Sequence, residues 1–112
     1  MNGVSCALTE ADASLVASFE RGTLPPHEFR HREHLHLAWC YLRGRPFEEA
    51  AARFETSLIA YAERHGGAAK IDLPLTWAYL GLVKEALRVE DRSFGELLER
   101  RPDLLARRLS RA

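Results

Sequence analysis

The sequence predicts an all-α fold: a compact bundle of four main helices followed by a short helical C-terminal extension. Three observations favour this class. Apolar residues recur every three or four positions in four long stretches, which is the period of an amphipathic helix. Most prolines and glycines stand at the ends of these stretches, where helices begin and end. No stretch shows the alternation rich in β-branched residues that is typical of a strand.

The first two helices have clear boundaries in the sequence. Thr9 is expected to cap the first helix, and Gly22 is expected to end it. The second helix covers a histidine-rich stretch to about Arg43, with Gly44 as its end. Because proline suits a first helical turn, this helix can begin as early as Pro26.

The later helices follow the same logic. Pro46 starts the third helix, and Gly66 lies at its end. Pro74 begins the fourth helix, Ser93 caps a short helix, and Pro102 opens the last one. Trp39 and Trp77 are the largest apolar side chains, and we expect them between the second and fourth helices.

Length and composition exclude several classes of protein. The chain has 112 residues and is expected to form a single helical domain over residues 1–112. Its 16 basic residues balance its 16 acidic residues, so no net charge attracts nucleic acid. No apolar run approaches the ~20 residues of a membrane span, and the N-terminus does not resemble a signal peptide. We therefore expect a cytoplasmic protein whose Cys6 and Cys40 are free thiols.

The stretch 27–43 holds four of the five histidines of the chain. On a helix with 100° per residue, His31 continues the apolar stripe and His34 lies on its flank. His27 joins this face if the helix begins at Pro26, whereas His36 is expected to face solvent. A buried imidazole needs a partner, because an unpaired buried polar group costs roughly 1–3 kcal/mol.

The spacing His31-x-x-His34 also suits a metal ion, because side chains three residues apart are neighbours on a helix. Two imidazoles are half of a zinc or iron site, so further ligands must come from elsewhere in the chain. The alternative is a pair of structural histidines that bond to backbone or to nearby carboxylates.

The motif around these histidines resembles that of a known family. The residues Phe29, His31, His34-Leu35, Ala38 and Tyr41-Leu42 match the pattern F-x-H-x-x-H-L-x-x-A-x-x-Y-L. This pattern is similar to that of a family of small, uncharacterised bacterial helical proteins. The resemblance extends from Leu24 to about Leu105 and implies a helical fold with a site near the two histidines.

A second motif of that family, Y-H-E-T-x-T, is degenerate in this chain. Only Thr76 matches it, and Asp72 stands where the family has histidine. If the family builds a site from both motifs, this chain offers His31, His34 and Asp72 as ligands of a divalent zinc or iron ion. Thr76 and Lys70 would then help to close a pocket for a small molecule between the second and fourth helices.

Two functional interpretations remain open from the sequence. The first is a ligand- or metal-binding pocket on His31 and His34, with a catalytic role left undecided. The second is a non-catalytic interaction or structural domain with structural histidines, in which the third helix and the C-terminal segment 97–112 offer a surface to a partner, including a second copy in a homodimer. Nucleic acid is not expected as a partner, because the C-terminal arginines alternate with acidic residues.

Overall fold

The computed structural model describes residues 9–67, 69 and 71–106. These residues form six α-helices and no strand, which confirms the all-α prediction for this part of the chain. The helices are α1 (Glu10–Arg21), α2 (His31–Leu42), α3 (Phe47–Arg64), α4 (Leu73–Ala86), α5 (Phe94–Arg100) and α6 (Asp103–Ala106). None of the helices in the described ranges has the length and apolarity needed to cross a membrane.

The predicted ends of α1 are confirmed. Thr9 Oγ1 accepts a hydrogen bond from the Asp12 amide at 3.1 Å, and the Asp12 carboxylate accepts one from the Thr9 amide at 3.2 Å. This reciprocal pair satisfies two amides that would otherwise lack partners at the start of the helix. Gly22 ends the helix in the left-handed conformation with φ of 75°, which glycine adopts without steric cost.

The start of α2 differs from the prediction. Pro26–Glu28 form a short 3₁₀ turn, and Phe29 and Arg30 leave the helical conformation before α2 begins at His31. Because this break interrupts the helix, His27 does not join the His31 face. Its side chain is 81% exposed and lies 3.6 Å from the Glu28 carboxylate, and His27 is not among the residues that line the cavity described below.

Helix α2 lies at the centre of the fold and contacts α1, α3, α4 and α6. Its C-terminal part is buried on all sides, in the residues Leu35, Leu37, Ala38, Trp39, Cys40, Tyr41 and Leu42. A helix buried on all sides is characteristic of a core element rather than of a surface element. The histidines at its N-terminal end therefore lie where this core meets a more open region.

Aromatic rings join the first three helices. Phe19 of α1 is buried, and its ring lies 5.3 to 6.3 Å from those of Phe29, Tyr41, Phe54 and Tyr61. Pairs at these separations each add roughly 0.5–1.5 kcal/mol beyond the burial of their area. The cluster fixes Phe29, which precedes α2, against α1 and α3.

The two tryptophans do not meet between α2 and α4. Trp39 is fully buried and contacts Phe94 of α5 with its ring centroids 6.2 Å apart. Trp77 lies against α3 instead, where its indole nitrogen donates to Glu55 at 2.8 Å and its ring meets Phe47 edge-on. A half-buried indole N–H is stabilised by a polar partner, and Glu55 supplies it from α3.

The last two described helices belong to the same core as the first four. Phe94, Leu97 and Leu104 are buried in it. Asp91, between α4 and α5, is also buried and forms an ion pair with Arg100. Arg100 in addition donates to the carbonyl oxygen of Ala86 at 3.0 Å, which ties α5 to the end of α4.

Candidate functional site

A cavity of about 540 Å³ lies between α2, α3 and α4. Its volume falls in the range of roughly 300–1,000 Å³ that is usual for small-molecule sites. Most of its wall is apolar, and the larger apolar side chains that line it are Phe29, Phe54, Leu58, Ile71, Leu75 and Leu80. The packing of three helices thus leaves a space that can accept an apolar molecule.

The structure brings four of the predicted site residues to this cavity. His31 and His34 line it from the first turn of α2, and Asp72 and Thr76 line it from the start of α4. These two pairs are far apart in the sequence, and the contact between α2 and α4 brings them together. Lys70, the remaining predicted residue besides His27, lies outside the described residues.

The imidazole of His34 is the polar group most open to a ligand. Its ring stacks on Phe29 with the centroids 4.0 Å apart and the planes 8° from parallel. Its nitrogens have no hydrogen-bond partner among the residues that the structure describes. Burial, and to a lesser extent the charge of His31, lower the pKa of His34 to about 4, although Glu33 opposes the shift. The imidazole is therefore neutral at pH 7.

His31 is held by the protein itself. Its Nε2 lies 3.1 Å from the carbonyl oxygen of Leu104, and a ring nitrogen that faces a carbonyl must carry the proton and donate it. The ring also meets Tyr79 edge-on, with the centroids 5.4 Å apart. His31 therefore connects α2 to α6 and forms part of the cavity wall.

Asp72 and Thr76 are engaged in starting α4. The Asp72 carboxylate accepts a hydrogen bond from the Leu75 amide at 3.0 Å, as an N-cap residue does. The hydroxyl of Thr76 donates to the Asp72 carbonyl at 2.9 Å. These bonds fix both side chains in the wall of the cavity.

The three side chains predicted as metal ligands, His31, His34 and Asp72, are not a group whose ligand atoms lie close together in the described residues. Within the described ranges, one group of three metal-ligating side chains has ligand atoms within 4.8 Å of one another, and it consists of Asp12, His36 and Cys40. His31 and Asp72 do not take part in such a group, because one points toward Leu104 and the other caps α4.

The exposure predicted for His36 was wrong. Its side chain is 19% exposed, and its Nε2 lies 2.7 Å from Asp12 Oδ1. The ring stacks on Phe94, with the centroids 4.6 Å apart and the planes 6° from parallel. Docking of α1 and α5 covers this face of α2, which the periodicity of α2 alone does not reveal. The spacing His36-x-x-x-Cys40, one helical turn, was the available signal.

The pKa values of Asp12 and Cys40 in this second group shift in opposite directions. Burial raises the pKa of Asp12, but hydrogen bonds from His36 and Thr9 outweigh it, so the net effect is a lowered pKa. Burial, assisted by Asp12 and opposed by Arg43, raises the pKa of the Cys40 thiol to about 12. Asp12 is therefore ionised, and Cys40 is a neutral thiol, at pH 7.

Most other polar groups around the cavity already bind the protein. The Tyr61 hydroxyl donates to the Leu24 carbonyl at 2.6 Å, and His65 Nε2 lies 2.9 Å from the Gly22 carbonyl. The cavity thus combines an apolar wall with His34 as its open hydrogen-bonding group. No protein-family model matches the chain, and neither a curated protein nor a solved structure matches it significantly.

Proposed function

We propose that the chain is a small-molecule-binding protein whose cavity, formed by a bundle of α1 to α4 with α5 and α6 as its extension, holds a neutral and largely apolar ligand. The observation that supports this most is the imidazole of His34, which lines an apolar cavity of about 540 Å³ without a hydrogen-bond partner among the described residues. A polar group in such a place costs free energy unless a ligand or water satisfies it. The histidine motif that resembles the bacterial family would mark this cavity.

The charges around the cavity favour a neutral ligand. No arginine or lysine is among the described residues that line it, whereas Asp72 is. An anion would therefore gain little there. A neutral imidazole has one donor and one acceptor nitrogen, so a hydroxyl group, which can donate and accept, suits His34 well.

The same observations favour binding over catalysis. A general acid or base is most effective when its pKa lies near the working pH. The pKa of His34 is about 4, so its imidazole is a weak base near neutral pH. The two other ionisable groups from the predicted site, His31 and Asp72, are engaged with backbone groups. The imidazole of His34 is therefore better suited to orient a ligand by a hydrogen bond than to transfer a proton to or from it.

The interaction-domain alternative proposes a partner surface on α3 and on the C-terminal segment 97–112. Val89 and Leu105 are the large apolar side chains that are exposed among the described residues. Residues 107–112 of the predicted dimer segment lie outside the described ranges, and self-association stays a prediction, as does the cytoplasmic location. Light scattering on the full chain, at several concentrations, tests the dimer directly.

The binding proposal is tested with a matched pair of probes, 2-naphthol and 2-methylnaphthalene. The two molecules have similar size and differ in one hydroxyl group. We expect wild type to bind 2-naphthol about three- to tenfold more tightly, the value of one net hydrogen bond. His34→Phe keeps an aromatic ring beside Phe29 and should lose this preference. His27→Phe, on the exposed turn, should retain it.

A further variant separates the cavity from the histidine. Leu75 lines the cavity from the first turn of α4, and Leu75→Trp should fill the space and weaken the binding of both probes at least tenfold. Circular dichroism would show that each variant is folded. Equal affinity of wild type for the two probes contradicts the role of His34, and unchanged binding to Leu75→Trp contradicts the site.

A further inference from the structure

A second group of reactive side chains lies on the face of α2 that is turned away from His31. His36 and Cys40 are one helical turn apart in α2, and Asp12 reaches them from the first turn of α1. One ligand atom from each residue lies within 4.8 Å of the other two. Thiol, imidazole and carboxylate are thus gathered at one point between two helices.

These donors are largely shielded from water. Asp12 and Cys40 are buried, and the ring of His36 is covered by Phe94. Calcium and magnesium prefer oxygen ligands alone, whereas sulfur and nitrogen together with oxygen suit zinc and its neighbours in the transition series. The chemistry of the group therefore points to a borderline-soft divalent cation.

We propose that Asp12, His36 and Cys40 form a binding site for a zinc-class divalent ion, with the fourth coordination position left to water. Bonds of 2.0 to 2.3 Å around a tetrahedral ion place its ligand atoms roughly 3.3–3.8 Å apart. Asp12 Oδ1 and His36 Nε2 now lie 2.7 Å apart and would separate slightly to admit the ion. The ligand atoms of the three residues already lie within 4.8 Å of one another, so small movements of the side chains would bring them to these separations.

A neighbouring cavity reaches one of the three residues of the site, Cys40. Cys40 lines a cavity of about 260 Å³, together with Glu20, Tyr41 and the arginines Arg43 and Arg45. Water and a small ion can therefore approach the site from the side of Cys40, although this residue is itself buried. Zinc sites with three protein ligands typically leave a fourth position to water, which this cavity could supply.

The group is better suited to a metal than to nucleophilic catalysis. A catalytic cysteine needs a lowered pKa, whereas burial holds the Cys40 thiol in its protonated form. A metal ion displaces that proton and stabilises the thiolate. Binding would also connect α1 to α2 and stabilise the folded chain by mass action.

Cobalt(II) substitution tests the site, because a cobalt–thiolate bond gives an intense charge-transfer absorption in the near ultraviolet. We expect this absorption when the reduced, untagged chain of 112 residues is titrated with cobalt(II), and we expect zinc to abolish it. Cys40→Ala should lose the absorption entirely. Cys6→Ser, which removes the other thiol of the chain, should retain it.

Further measurements show whether a lost signal reflects misfolding, and whether cobalt binds in the cavity beside His34 instead. Asp12→Asn and His36→Gln should each weaken cobalt binding at least tenfold, and zinc should raise the melting temperature of wild type but not of Cys40→Ala. His34→Phe should bind cobalt as wild type does. Absence of the absorption in wild type, or its persistence in Cys40→Ala, would overturn the proposal without affecting the naphthol experiment.

Discussion

Replacement of Arg100 by methionine is expected to lower the free energy of unfolding by about 3 kcal/mol, because the buried carboxylate of Asp91 then loses its charged partner. The side chain of Asp91 is only 6% exposed, and that of Arg100 is 28% exposed. Arg100 also donates to the Ala86 carbonyl, and that bond disappears with it. The variant keeps the apolar stem, so the loss reflects the guanidinium rather than packing.

The neighbouring arginine provides a matched control. Arg101 pairs with Asp103 on the surface, where solvent screens the charges, so Arg101→Met should change stability little. In the double variant Asp91→Leu/Arg100→Met no buried charge is left unpaired, and part of the lost stability should return. Urea denaturation measures all three variants. Equal losses in Arg100→Met and Arg101→Met would contradict the assigned role of the buried pair.

Acidification is expected to destabilise the protein through His34. Its pKa in the folded state is about 4, below the ordinary value of 6.5, so the folded state binds fewer protons than the unfolded state between these values. Stability therefore rises with pH across this window and falls as the pH is lowered through it. At 1.36 kcal/mol per pH unit, the contribution lost between about pH 6.5 and pH 4 amounts to about 3 kcal/mol.

Denaturation of wild type and His34→Phe at several pH values between 4 and 7 isolates this contribution. His34→Phe should lose less stability on acidification, because it has no imidazole to protonate in the cavity. His27→Phe should follow wild type, since His27 is exposed. If His34→Phe and wild type show the same pH dependence, His34 is not shielded in the way that the structure indicates.

Local signals explain why the helices could be predicted from the sequence. A side-chain cap at Thr9 or Ser93, and a left-handed glycine at Gly22, act within a few residues of their own position. The break at Phe29 and Arg30 escaped prediction because Phe29 is held by rings on α1 and α3. A tertiary contact decided the start of α2 there, and it displaced His27 from the predicted face.

The candidate site was predictable only in part, for a similar reason. The face that carries His31 and His34 follows from the helical period, and Asp72 and Thr76 came from the family resemblance. Whether an imidazole nitrogen is available to a ligand depends on residues that are distant in the sequence, such as Leu104, whose carbonyl accepts a hydrogen bond from His31. The group around His36 depends equally on the docking of α1, because Asp12 lies 24 residues from His36 and no local signal connects the two.

The proposed function requires that the imidazole of His34 binds a ligand inside the cavity between α2, α3 and α4. Nitrogen-15 NMR of the histidine rings during a titration with 2-naphthol tests it most directly. We predict that the ring-nitrogen resonances of His34 shift as the probe saturates the protein, while those of the exposed His27 stay constant. Unchanged His34 resonances at saturating probe would contradict the claim.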